Sequence, residues 1–235
     1  MEMLREIFLS ATLLALPSPG NKEAATLTAR MEAKYRSART LRATFLQRYS
    51  ENGRLLRSES GTAYFRRPGR MRWEYEAPEK DLFLVDGKTA WFYVPADHTV
   101  TRAPAKQSSD LRTPMALLAG EMKVSRICSH VELASSEKPE APGDAVLHCT
   151  LRGAKNPDST DHAQDAQDAA FFEVAPDSGE LVRILIRQSD AVEVEFRFRN
   201  WGFDPPLPPS MFHFDVPPGV AIVKGEAALA DPGAR

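Results

Sequence analysis

Residues 61–95 read GTAYFRRPGRMRWEYEAPEKDLFLVDGKTAWFYVP. Apolar, β-prone runs sit there between turn signals at Pro68-Gly69, Ala77-Pro78 and Asp86-Gly87. Asp-Gly between alternating apolar residues predicts a tight hairpin turn, with positive φ at both central positions. The stretch therefore predicts an antiparallel meander: one strand to Arg67, then strands near Arg70–Tyr75, Asp81–Val85 and Lys88–Val94. Alternation assigns faces. Ala63, Phe65 and Arg67 point one way, and Thr62, Tyr64 and Arg66 the other. Met71, Trp73 and Tyr75 share an apolar face, opposite Arg70, Arg72 and Glu74. Arg67 is the odd member, because its phase places it with Phe65. An arginine on an apolar face needs partners, since an unpaired buried charge is very costly. The alternative for Arg67 is a surface position beside Arg66.

Outward from this stretch the β pattern continues. Leu41–Tyr49 reads as a strand, Glu51-Asn52-Gly53 as a turn and Arg54–Ala63 as its partner. Thr99–Ala103 is a short strand. Met122–Ser135 with Ala145–Leu151, and Ala169–Ala175 with Glu180–Gln188, read as hairpins. In Val192–Trp201, Val192, Val194, Phe196 and Phe198 alternate with charged residues, and Met211–Val216 reads as the last strand. The total is about ten or eleven antiparallel strands. Two helical segments accompany them. Leu27, Met31 and Tyr35 recur every fourth residue, with Ala24 and Ala38 on nearby turns. Thr113-Pro114 starts a short helix carrying Met115, Leu117 and Leu118, which Gly120 ends. A segment that short must dock on something or move.

Composition bounds the function. A chain of 235 residues with 43% hydrophobic content can bury a sizeable core. A net charge of −2 points to neither nucleic acid nor an anionic membrane surface. The sequence contains no apolar run long enough to span a membrane. Ile7–Leu16 followed by small residues reads as a secretory signal, so residues 1–20 are expected to be cleaved; a packed amphipathic helix is the alternative. No catalytic motif is present: no G-x-S-x-G elbow, no P-loop, no H-E-x-x-H and no Cys-x-x-Cys. Catalytic residues, metal and cofactor are accordingly expected to be none, and His162 with Asp161, Asp165 and Asp168 reads as a solvated loop. Cys128 and Cys149 lie on two arms of one predicted hairpin, where a bridge and a pair of buried thiols both remain open.

The order and spacing of several short motifs resemble the LolA family, the periplasmic carriers of outer-membrane lipoproteins. The matching residues are Gly61, Arg67-Pro68, Arg72-Trp73-Glu74-Tyr75, Pro78, Asp86-Gly87-Lys88, Trp91, Tyr93 and Pro95. Thr113–Ala119 is similar to the family's lid, and Phe212-His213-Phe214 with Pro217-Pro218-Gly219-Val220 to its closing strand and turn. The resemblance spans roughly residues 22–224 and implies one domain over 21–224 with an unstructured tail at 225–235. The implied fold is mainly β: an incompletely closed antiparallel β-barrel around an apolar cavity, with a helical lid. The implied function is a monomeric, non-enzymatic periplasmic carrier of lipoprotein acyl chains, served by an inner-membrane transporter and an outer-membrane acceptor. A lipid-sensing regulatory domain of the same fold, or a carrier of a non-protein lipid, are the alternatives. No cysteine precedes Cys128, so a lipid-anchored acceptor is not expected. Arg67 corresponds to the arginine that latches the lid. Phe65, Met71, Trp73, Leu84, Trp91, Met115, Leu117, Leu118, Leu27 and Met31 are the expected lipid-binding residues.

Overall fold

A computed structural model describes residues 19–105, 117–120, 123–152, 168–188 and 191–225. Helix α1 (Pro19–Arg36) leads into β1 (Thr40–Glu51) and β2 (Arg54–Arg66). The meander continues through β3 (Arg70–Ala77), β4 (Leu82–Val85), β5 (Thr89–Val94) and β6 (Thr99–Pro104). A second meander holds β7 (Cys128–Leu133), β8 (Ala145–Leu151), β9 (Ala169–Ala175), β10 (Glu180–Arg187) and β11 (Val192–Phe203), and β12 (Ala221–Lys224) comes last. All belong to one sheet, ordered β12-β6-β5-β4-β3-β2-β1-β11-β10-β9-β8-β7. The antiparallel β1–β11 ladder joins the two meanders. Among the described residues the ends, β12 and β7, do not pair, so the barrel stays open.

One expected turn forms as read, and a second takes another form. Asn52-Gly53, between the paired Glu51 and Arg54, is the two-residue turn with positive φ at both positions (51° and 74°). At Asp86-Gly87 only Gly87 has positive φ. There the Asp86 carboxylate accepts the Lys88 and Thr89 N–H groups, each at 2.8 Å, and the Asp86 N–H donates to Thr89 O. The aspartate side chain closes the loop in place of a second left-handed residue.

The C-terminal region departs further. Met211–Val216 is not a strand: Pro209–Phe212 forms a 3₁₀ turn, and the true last strand is β12, paired parallel to β6. The prolines at 205, 206, 208 and 209 cannot donate to a ladder, so this region crosses the sheet as a strap. Arg66 donates to Leu207 O, Arg72 donates to Met211 O, and the Phe214 ring lies 5.5 Å from both Trp91 and Tyr93. Among the described residues the sheet thus has twelve strands and one parallel pairing, where about ten or eleven antiparallel strands were expected.

The concave face carries the main apolar cluster, which contains Phe45, Phe65, Met71, Trp73, Phe83, Phe92, Phe196 and Phe198. The predicted helical stripe holds, because Ala24, Leu27, Met31, Tyr35 and Ala38 are all buried in it. Leu117 and Leu118 join from residues 117–119, the described end of the second helical segment. Gly61 permits a close approach in this wall. A Cβ there would lie 1.9 Å from the Glu74 carbonyl oxygen, so only glycine lets β3 pack so near.

Strand β9 is buried on both faces. Its outer face is covered by the β7–β8 connection, where the Glu140 N–H donates to Glu173 Oε1 at 2.8 Å. Cys128 and Cys149 are joined by a disulfide that ties β7 to β8 across a sequence separation of 21. Residues 1–18, 106–116, 153–167 and 226–235 lie outside the described residues. With them go the signal segment up to its last residues, the start of the lid segment, the loop around His162 and all but the first residue of the predicted tail.

Candidate functional site

Register sorts the expected lipid-binding residues. Phe65 pairs with Met71 and Met71 with Val85; Ala63 pairs with Trp73 and Trp73 with Phe83. Directly paired residues share a face, so Phe65, Met71 and Trp73 form one continuous inner wall. Trp73 is its centre, with ring centroids 4.8 Å from Phe45, 5.7 Å from Phe65 and 5.5 Å from Phe196. Leu27 and Met31 of α1, with Leu117 and Leu118, close over this wall.

Leu84 and Trp91 do not belong to it. Leu84 pairs with Arg72 and with Trp91, on the sheet's other face. Leu84 is fully buried there, Val100 of β6 and Phe212 of the strap are buried as well, and Arg102 lies over the Trp91 ring at 5.1 Å. Met115 lies outside the described residues.

Arg67 occupies the junction between the wall and its cover. The carbonyls at the C-terminal end of α1 lack intrahelical donors. The Arg67 Nη1 donates to two carbonyls there, Tyr35 O and Ala38 O, the latter at 2.6 Å. Its Nη2 donates to Leu118 O at 3.5 Å. The backbone of the same turn adds two bonds: Arg67 N–H to Arg39 O at 3.0 Å and Gly69 N–H to Ala119 O at 2.9 Å. One three-residue turn therefore holds both covering segments. A latch on the lid was expected; Tyr35 at the end of α1 and Ala38 just beyond it supply the shorter bonds. Burial pulls the Arg67 guanidinium below its ordinary pKa, the charge of Asp204 opposes this, and that of Arg36 adds to it. No carboxylate is bonded to Arg67 among the described residues, and its Nε is buried without a partner.

Helix α1 is fixed elsewhere too. The Leu181 N–H donates to the Tyr35 hydroxyl at 2.9 Å, and burial pushes that phenol's pKa well above its ordinary value. Glu32 accepts the Val124 N–H at 2.7 Å.

The sequence of this chain has named relatives. A family model described as outer membrane lipoprotein carrier protein LolA matches residues 36–141. The outer-membrane lipoprotein carrier protein of Chromobacterium violaceum is 30% identical over 203 residues, covering 86% of this chain and 89% of its own. The chain belongs to the LolA family of outer-membrane lipoprotein carriers. The corresponding protein of Nitrosomonas europaea is 28% identical over 94% of this chain and 98% of its own. The crystal structure of an uncharacterized conserved protein from Thermus thermophilus shares the fold, with a TM-score of 0.51 at 12% identity, covering 86% of this chain and 99% of that one.

On this LolA-family fold, sequence reasoning missed a second arginine. Arg183 of β10 is buried on the sheet's outer face. It bonds Glu173 at 2.8 Å, Glu137 at 3.0 Å and Glu195 at 3.4 Å, and its Nη2 donates to Lys138 O. Burial lowers its pKa, but the hydrogen bonds and charges of Glu137 and Glu173 outweigh that and raise it. The available signal was Glu173, a carboxylate within the otherwise apolar Ala169–Ala175 run.

Proposed function

We propose that this chain carries the acyl chains of lipoproteins across the periplasm. It receives them from an inner-membrane transporter and yields them to an outer-membrane acceptor. Each buried methylene is worth roughly 0.8 kcal/mol, so a free acylated protein would not cross water unaided. The inner wall around Trp73 would take the chains once α1 and residues 117–119 lift away. No bond is made or broken. Affinity must shield the cargo and still permit its release.

The observation that carries this reading is the Arg67 turn, which ties both covering segments over an aromatic wall. A cover held by hydrogen bonds at one turn can open as a unit. Loss of those bonds offsets part of the energy of lipid burial, which keeps the cargo releasable. Leu27, Met31, Leu117 and Leu118 would exchange contacts with the wall for contacts with acyl chains.

The test is isolation of the protein from the envelope of its native host, with mass spectrometry of what it holds and sequencing of its N-terminus. The expected result is a lipidated protein bound to a chain that begins near Asn21. Recovery of a glycolipid or phospholipid alone would replace lipoprotein with a non-protein lipid as the cargo. An intact Met1 in the cytosol would overturn the periplasmic role.

A further inference from the structure

At the centre of the inner wall lies a polar atom that packing does not explain. Trp73 has no exposed surface, and its indole Nε1–H has no hydrogen-bond partner among the described residues. Its ring neighbours are Phe45, Phe65, Phe196 and Phe198, all apolar. A buried indole N–H usually finds an acceptor, and one left unmatched is costly. Two other polar groups near this wall are matched: the Tyr75 hydroxyl donates to Gln47 Oε1 at 3.0 Å, and Trp201 Nε1 donates to Leu181 O at 2.8 Å. Trp91 Nε1 is also unmatched, but Trp91 is only half buried and faces the strap on the other side of the sheet. A phenylalanine at position 73 would fill the apolar site without burying a donor.

The described residues supply no acceptor for it, and whatever displaces the cover can bring one. An acyl chain is hydrocarbon along its length and offers an acceptor only where it is joined, at its ester or amide carbonyl. The geometry points to Trp73 Nε1 as a hydrogen-bond donor to the acyl carbonyl of the cargo. This inference rests on the carrier reading above and deepens it. The wall selects acylated molecules over plain hydrocarbons, and the indole sets the depth to which a chain enters. With the carbonyl held at Trp73, the tail extends along the aromatic wall and the linked headgroup or polypeptide points away from it.

The test compares three probes of similar chain length, delivered from cyclodextrin: heptadecane, methyl palmitate and N-methylpalmitamide. Affinities are measured for the parent and for Trp73→Phe. The parent is expected to prefer the carbonyl probes. That preference, the ratio of carbonyl-probe to heptadecane affinity, should fall about threefold to tenfold in Trp73→Phe, the worth of one neutral hydrogen bond, while the smaller ring changes the affinity for all three probes alike. The carbonyl probe that loses more identifies the linkage, ester or amide. On the parent alone, the ¹⁵N-indole proton resonance of Trp73 should move downfield with a carbonyl probe and not with heptadecane. This second reading holds even if Trp73→Phe folds poorly. An unchanged preference in a folded Trp73→Phe, or a resonance that ignores the carbonyl, would overturn the inference and leave the carrier reading standing. A parent that binds none of the three probes would overturn both.

Discussion

Arg183 and Arg67 are both arginines withdrawn from water, one on the outer face and one at the edge of the inner wall. Arg183 is surrounded by carboxylates: Glu173 is fully buried beneath it, and Glu137 and Glu195 flank it. Among the described residues Arg67 bonds only neutral backbone carbonyls. The consequences are opposite. Separating Arg183 from its partners would strand buried charge on both sides, so that network behaves as a fixed clamp on the β7–β8 connection. Releasing Arg67 strands no counter-charge, and the freed guanidinium regains hydration. On the proposed carrier reading Arg67 is a latch that opens repeatedly, and such a latch is better built from carbonyls, which keep geometry specific through the planar fork while leaving little charge behind.

The largest expected effect breaks the clamp. Arg183→Leu leaves Glu173 without its cation and should destabilise the fold by about 3–5 kcal/mol, read as a lowered urea midpoint. The double variant Arg183→Leu/Glu173→Leu should recover much of that loss, because the fully buried Glu173 charge is gone and Glu195 keeps Arg197 and Arg48. If the single variant loses no more than a surface substitution, the contrast between clamp and latch fails on the outer side. Next comes the disulfide, which holds the same β7–β8 hairpin. Replacing both Cys128 and Cys149 with alanine should cost about 3 kcal/mol by relaxing the unfolded chain.

How much of this was legible in the sequence depended on alternation. In Met71–Tyr75 apolar and polar residues alternate, so the inner wall could be read directly. In Leu82-Phe83-Leu84-Val85 every residue is apolar, and Trp91-Phe92-Tyr93 is aromatic on both faces. Such runs carry no phase. Their outer side is apolar because the strap of residues 205–214 covers it, and that cover comes from more than a hundred residues away. Leu84 and Trp91 were therefore assigned to the wrong face. Arg67 was recognisable as an anomaly, but the partners from α1 were not. Backbone carbonyls at a helix end have no residue-type signature. Arg183 escaped notice because its carboxylates lie on three separate segments.

A third experiment uses that misreading to sharpen the division of the two faces. Leu84→Ala should lower stability by about 2–3 kcal/mol through the cavity it leaves, yet leave binding of an apolar probe unchanged. Met71→Glu should do the reverse in emphasis, weakening the probe strongly because a charge on the inner wall is costly to desolvate. Circular dichroism would confirm that each variant folds. Equal loss of probe binding in both would mean that the two faces are not functionally distinct.

The smallest expected change in stability is at the latch. Arg67→Leu should lower stability by only about 1 kcal/mol, read from the urea midpoint, since relief from burying the charge offsets the lost bonds. Its functional effect should be larger. Charge-assisted hydrogen bonds are worth about 1.5–3 kcal/mol each, so the closed–open balance should move about tenfold or more toward the open state. The decisive measurement is transfer of bound lipoprotein to the acceptor, timed for the parent, Arg67→Leu, Arg67→Lys and Arg66→Leu. Arg66 serves as the control because its guanidinium holds the strap at Leu207 and not the cover. The account predicts that Arg67→Leu loads and retains lipid but passes it on about tenfold more slowly. Arg67→Lys should fall between it and the parent, and Arg66→Leu should match the parent. Transfer by Arg67→Leu at the parent rate, or an equal failure of Arg66→Leu, would contradict it.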